Sequence, residues 1–164
     1  MSVWSKGGYT SKGQGLQPNR MVGEIVPSDI DEVYAYDGPR SKLDRRADLT
    51  YFARWAKVFV YRRHSQLCGF LACLRGLASV QFGPLAAEGE EEAEVLFRHA
   101  LAVFKNRNCR TRVMAEDSVL VAALRNLSFE VYRIDLLMVR GIWHPATALR
   151  LLGPSPRGLE HRKK

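Results

Sequence analysis

Few cysteines, no long apolar run and little charge of one sign outside the ends bound what this 164-residue chain can be. Three cysteines, Cys68, Cys73 and Cys109, stand in apolar or strand-like surroundings without a Cys-x-x-Cys pair. That excludes a disulfide framework and a zinc site built on closely spaced thiols, and predicts reduced, buried thiols that behave as small hydrophobes. No apolar stretch approaches the roughly 20 residues that span a bilayer. The opening MSVWSKGGYTSKGQG lacks the apolar core of a secretory signal, so an intracellular, cytoplasmic, membrane-free protein is expected. No internal repeat is visible.

Hydrophobic residues make up 46% of the chain, enough to close a single core and too many for disorder throughout. The formal charge of +8 suggests nucleic acid until it is located. Residues 1–20 carry Lys6, Lys12 and Arg20 without an acid, and residues 150–164 carry five basic side chains against Glu160. The stretch between is nearly neutral. Basic ends of this kind read as solvated tails, and nucleic-acid binding through them is the weakest of the functional readings. The expected organisation is a disordered Gly/Ser-rich basic leader over 1–20, one folded domain over 21–143, and a Pro-containing basic tail over 144–164.

Within that domain the hydrophobic period switches repeatedly. Gly23–Val26 reads as a short strand. Ser28 can cap a helix with Ile30, Val33 and Tyr34 on one face, and Asp37-Gly38-Pro39 is expected to stop it. A second helix falls within Asp48–Trp55. Lys57–Arg62, Leu67–Leu74 and Leu77–Gly83 are β-branched, aromatic or continuously apolar, and their tight spacing predicts an antiparallel meander. The longest helix, Glu90–Lys105, places Ala93, Leu96, Phe97, Ala100, Leu101 and Phe104 on one face, with acids at its positive end. A strand at Arg110–Ala115, a helix capped by Asp117, and a closing hairpin of Phe129–Arg133 with Ile134–Val139 complete the order. A meander followed by β-α-β units implies an α/β fold: a mixed central sheet with helices on both faces.

This order resembles that of the GNAT acyl-CoA N-acyltransferases, and the chain is similar in particular to the YitH/HolE-type acetyltransferase (GNAT) domain. The resemblance covers about Glu24–Gly141. Its landmarks are VPSDIDEVYAYDGPRSKLDRRADL, GFLACL, FGPLAAE before the long helix, the VMAED turn, LRNLSF and the terminal LLMVRG. It implies acetyl-CoA as cosubstrate and a small amine as acceptor. The backbone at Gly83, Leu85 and Ala86 would meet the pantetheine arm where the sheet splays from Arg110–Ala115. Gly89 and Ala93 would stand at the pyrophosphate loop, and Asp117 at a position the family often gives to Asn.

The loop departs from the family's Gln/Arg-x-x-Gly-x-Gly/Ala form. In Glu88-Gly89-Glu90-Glu91-Glu92-Ala93 only Ala93 matches, and four carboxylates stand where backbone amides should receive phosphate. Leu124 occupies the place of a proton-donating Tyr, and Ser128-Phe129 replaces a Gly-Phe pair. Glu116, at a strand end beside the expected acyl site, is the one candidate general base. His64 and His99 read as surface histidines. Tyr36, Asp37, Arg40, Arg45 and Arg46 fall in the region that shapes the acceptor pocket, and a mixed-charge loop there suits a polar acceptor. Two readings follow: an N-acyltransferase working mainly by proximity, or a non-catalytic module of the same fold with a degenerate loop.

Overall fold

The computed structural model describes residues 2–6, 16–113 and 117–134. Among these residues seven strands form one mixed sheet: β1 (Ser2–Lys6), β2 (Val22–Glu24), β3 (Lys57–Arg63), β4 (Gln66–Arg75), β5 (Ser79–Ala87), β6 (Asn108–Val113) and β7 (Glu130–Ile134). Their spatial order is β2-β3-β4-β5-β6-β1-β7. The helices are α1 (Ile30–Ser41), α2 (Arg46–Trp55), α3 (Glu90–Val103) and α4 (Ser118–Asn126). The expected α/β architecture with a mixed sheet is the one observed.

Alternation along the strands sends side chains to two separate cores. Phe59, Tyr61, Leu71, Cys73, Leu85 and Ala87 face α3 and α4, together with Leu96, Phe97, Leu120 and Leu124. Val58, Val60, Phe70, Ala72 and Ala86 face α1 and α2, together with Val33, Tyr36, Leu49 and Phe52. A sheet covered on both faces needs strands apolar at every position, which is why LCGFLACL is a continuous run rather than an alternating one. All three cysteines are buried. Burial pushes the Cys73 thiol up, as befits an inert packing residue.

Two expectations about the elements are corrected. The leader over 1–20 is expected to lack structure, yet Ser2–Lys6 forms β1, antiparallel to both β6 and β7. Strands β6 and β7 each present an edge there, and a third backbone satisfies both rows of amides and carbonyls. The Asp37-Gly38-Pro39 stop also fails: α1 runs on to Ser41 and ends at Lys42, in the left-handed region with φ 53°. Asp37 is 1% exposed and anchors this last turn to the start of α2 through Arg45, a tertiary contact that outweighs the local breaker. The second half of the closing hairpin, beyond Ile134, lies outside the described residues.

The ends of α4 follow the local rules closely. Asp117 Oδ1 accepts from the Leu120 amide at 3.1 Å, the predicted cap. At the other end Phe129 N–H donates to the Leu124 carbonyl and Ser128 N–H to that of Arg125, with Ser128 left-handed at φ 57°. This is a Schellman close, with serine where glycine is usual.

His99 is buried rather than on the surface, at 8% exposure. Its Nδ1 accepts from the Asn19 amide at 3.1 Å, and its ring lies edge-on to Phe59, tying residues before β2 onto α3. Burial lowers its pKa below the ordinary 6.5. The folded state therefore prefers the neutral ring. Its stability contribution is full above about 6.5, the unfolded value, and is lost as pH falls through the folded value. Urea midpoints are expected to drop between about pH 7 and pH 5, with a shallower drop in His99→Gln. Equal pH slopes for both proteins would refute the assignment.

Candidate active site

The site begins where β5 changes neighbours. Parallel pairing of β5 with β6 runs from Ser79↔Asn108 to Phe82↔Thr111, and among the described residues it ends there. Thr111 Oγ1 donates to the Phe82 carbonyl at 3.1 Å and marks the last rung. Beyond it, Gly83–Ala87 stays on β4 through Leu71↔Leu85, Phe70↔Ala86 and Gly69↔Ala87. Strand β6 continues past that rung with β1 on its other edge, through Arg112↔Val3 and Val113↔Ser2. The two strands part at Gly83, whose φ of 119° suits glycine alone. A register shift in the β4–β5 ladder between Leu71 and Cys73 adds a bulge beside the same point.

Helix α3 starts directly after this free end of β5. The helix packs close to the sheet at Leu96, in its second turn, because Gly69 has no side chain. A Cβ there would lie 3.0 Å from the Ala86 carbonyl and 3.1 Å from Leu96 Cδ1. The cap residue is Gly89, extended, with no side chain to offer the amides of the first turn. The acids crowd in instead. Glu92 is only 6% exposed, and its Oε1 accepts from Arg63 Nη2 at 2.8 Å. Its Oε2 lies 3.1 Å from where a Cβ on Gly89 would stand, so the carboxylate bends back over the first turn. Glu91 lies 3.9 Å from the same guanidinium, and Glu88 pairs at 3.8 Å with Arg40.

Helix α1 closes one side. The Tyr36 hydroxyl donates to the Cys68 carbonyl at 2.6 Å, and the Arg40 guanidinium stacks 3.7 Å from the Tyr36 ring centroid. Burial raises the phenol's pKa well above its usual range; Arg40 opposes this, and Glu88 and Glu92 add to it. Tyr36 thus stays protonated, a donor and not a base.

Of the residues named from sequence, Gly83, Leu85, Ala86, Gly89 and Ala93 come together along the end of β5 and the first turn of α3. Leu85 and Ala93 are fully buried in the α3-side core, and Ala86 is 2% exposed on the opposite face. Asp117 caps α4, which packs on α3. Glu116 lies outside the described residues. Leu124 is fully buried in the core, so α4 presents carbon at the position of a proton donor. The acceptor-region residues divide: Asp37 and Arg45 form a buried ion pair and cannot meet a ligand, Arg46 pairs with exposed Asp31, and Arg40 alone reaches the α3 loop. Sequence reasoning misses Arg63. From sequence it is one more basic residue at a turn, and only the fold brings it against Glu92. Among the described residues no group of three His, Cys, Asp or Glu could hold a metal ion, and no helix is long and apolar enough to cross a membrane.

Solved structures share the overall fold of this chain. The chain aligns with a GNAT-family protein of Novosphingobium aromaticivorans DSM 12444 at 14% identity and TM-score 0.61, over 80% of this chain and 60% of that one. It aligns with wild-type TTHA1254 of Thermus thermophilus at 15% identity and TM-score 0.55, over 76% of this chain and 98% of that one. The chain thus spans less than two thirds of the Novosphingobium protein. No curated protein matches it in sequence. Residues 43–149 match the acetyltransferase (GNAT) domain, and the chain belongs to that family.

Proposed function

We propose that this protein is an N-acyltransferase that takes an acetyl group from acetyl-CoA and passes it to a small amine, in the manner of the YitH/HolE-type domain it resembles. The observation that carries the reading is the parting of β5 from β6 at Gly83. From there, one edge of Gly83–Ala87 has no neighbouring strand among the described residues, and its peptide groups can bind and align an extended, amide-bearing thioester arm. The fit is good at this end and poor at the other: with Glu92 folded over the first turn of α3, a pyrophosphate meets a carboxylate first.

Acetyl-CoA supplies the activated thioester; the chain supplies position. Leu124 has no proton to give the leaving thiolate, and the buried Tyr36 phenol is not a base for the amine; Glu116 is the group left to take that proton. Holding donor and acceptor in register contributes most of the acceleration in such a site. Saturable acetyl-CoA binding by calorimetry and amine-dependent release of free thiol are expected. Absence of heat at about millimolar ligand would overturn the reading. It would leave the second one, a non-catalytic interaction module, which the closed Arg63–Glu92 contact and the buried Leu124 favour.

A further inference from the structure

We infer that Glu92 is a built-in counter-ion for the start of α3, clamped by Arg63, and that a phosphate-bearing donor binds only by displacing it. The inference rests on the acyl-CoA reading for the identity of the donor, but not for the clamp itself. Three observations meet at one place. The first turn of α3 begins at a glycine, so its amides receive nothing from the cap side chain. The Glu92 carboxylate is 6% exposed and lies against Gly89 rather than in solvent. Its partner, Arg63 at the end of β3, belongs to a different element, so the pose is held by tertiary structure and not by helix geometry alone.

The positive end of a helix attracts one anion readily. Here the chain brings its own. A second anion about 5 Å from that carboxylate would lose about two decades of affinity at an effective dielectric near 20. Turning Glu92 outward removes the repulsion and leaves the Arg63 guanidinium, 42% exposed and 3.9 Å from the solvated Glu91, able to face the incoming phosphate. The same two residues thus set both the closed state and the charge that rewards opening. Glu90 is exposed, and its removal should matter far less.

The test uses inorganic pyrophosphate and the full chain, reading backbone amide shifts at positions 90 to 92 by NMR. Glu92→Gln keeps the shape and removes the charge; it is expected to bind pyrophosphate about tenfold or more tighter than the parent protein. Glu90→Gln should stay within about twofold. Adding Arg63→Met to Glu92→Gln should erase most of the gain. Should Glu92→Gln fold poorly, Glu92→Met carries the same expectation. Equal affinity in the Glu92→Gln and Glu90→Gln proteins overturns the inference. A pyrophosphate gain without any CoA binding in either protein upholds the clamp and overturns only the acyl-CoA reading.

Discussion

Replacing Asp37 with alanine is expected to cost about 3–5 kcal/mol of stability, read as a fall in the urea midpoint at unchanged slope. Asp37 is 1% exposed and Arg45 8% exposed, and they meet in a two-point contact, Arg45 Nε donating to Oδ2 at 2.8 Å and Nη2 to Oδ1. The loss comes less from the attraction removed than from the guanidinium left behind without a counter-charge. Removing both charges should therefore hurt less than removing one. The Asp37→Leu/Arg45→Met double variant is expected to regain most of the loss, because buried pairs exchanged for apolar side chains of similar volume are often near neutral. A single-variant cost under about 1 kcal/mol would mean that water reaches the pair. Because the pair ties the end of α1 to the start of α2, the single variant should also loosen Tyr36 and Arg40 beside the α3 loop.

Phe97→Ala should cost a similar amount, about 3–5 kcal/mol, by a different route. The ring is fully buried on α3, 6.1 Å from Phe82 on β5 and 6.1 Å from Phe129 after α4. Phe104 extends the same aromatic row to Phe82 and Phe59. Truncation leaves a cavity that helix and sheet can fill only by shifting together. Phe97→Leu should cost under half as much, since most of the volume is kept. Phe82 pairs with Thr111 at the last rung before the strands part, so the cavity opens directly beneath the site. A Phe97→Ala loss no greater than that of Phe97→Leu would contradict this packing.

Much of the frame is legible because it is written locally. The meander strands β3, β4 and β5 announce themselves by apolar, β-branched runs, and α3 by the spacing of Ala93, Leu96, Phe97, Ala100 and Leu101. Asp117 is recognisable as a cap because capping needs only a short polar side chain at a boundary. What sequence reasoning misses depends on contacts between distant residues. Gly38 and Pro39 speak for a stop, and a buried carboxylate one residue earlier overrules them through Arg45, beyond the reach of local propensity. The acidic run 88–92 is visible as composition. That Glu92 turns inward while Glu90 stays in solvent follows from where Arg63 ends up, and no spacing rule carries that.

The first strand sets an order of assembly. Ser2 pairs with Val113 on one side and Ile134 on the other, so β1 must wait for nearly the last of the described domain. The meander and its helices can close on near neighbours, while the β6-β1-β7 end must bring together segments separated by most of the chain. Long loops cost more entropy to close, and folds rich in such pairings form slowly. The half of the sheet that frames the parted strands is therefore the half expected to be completed last.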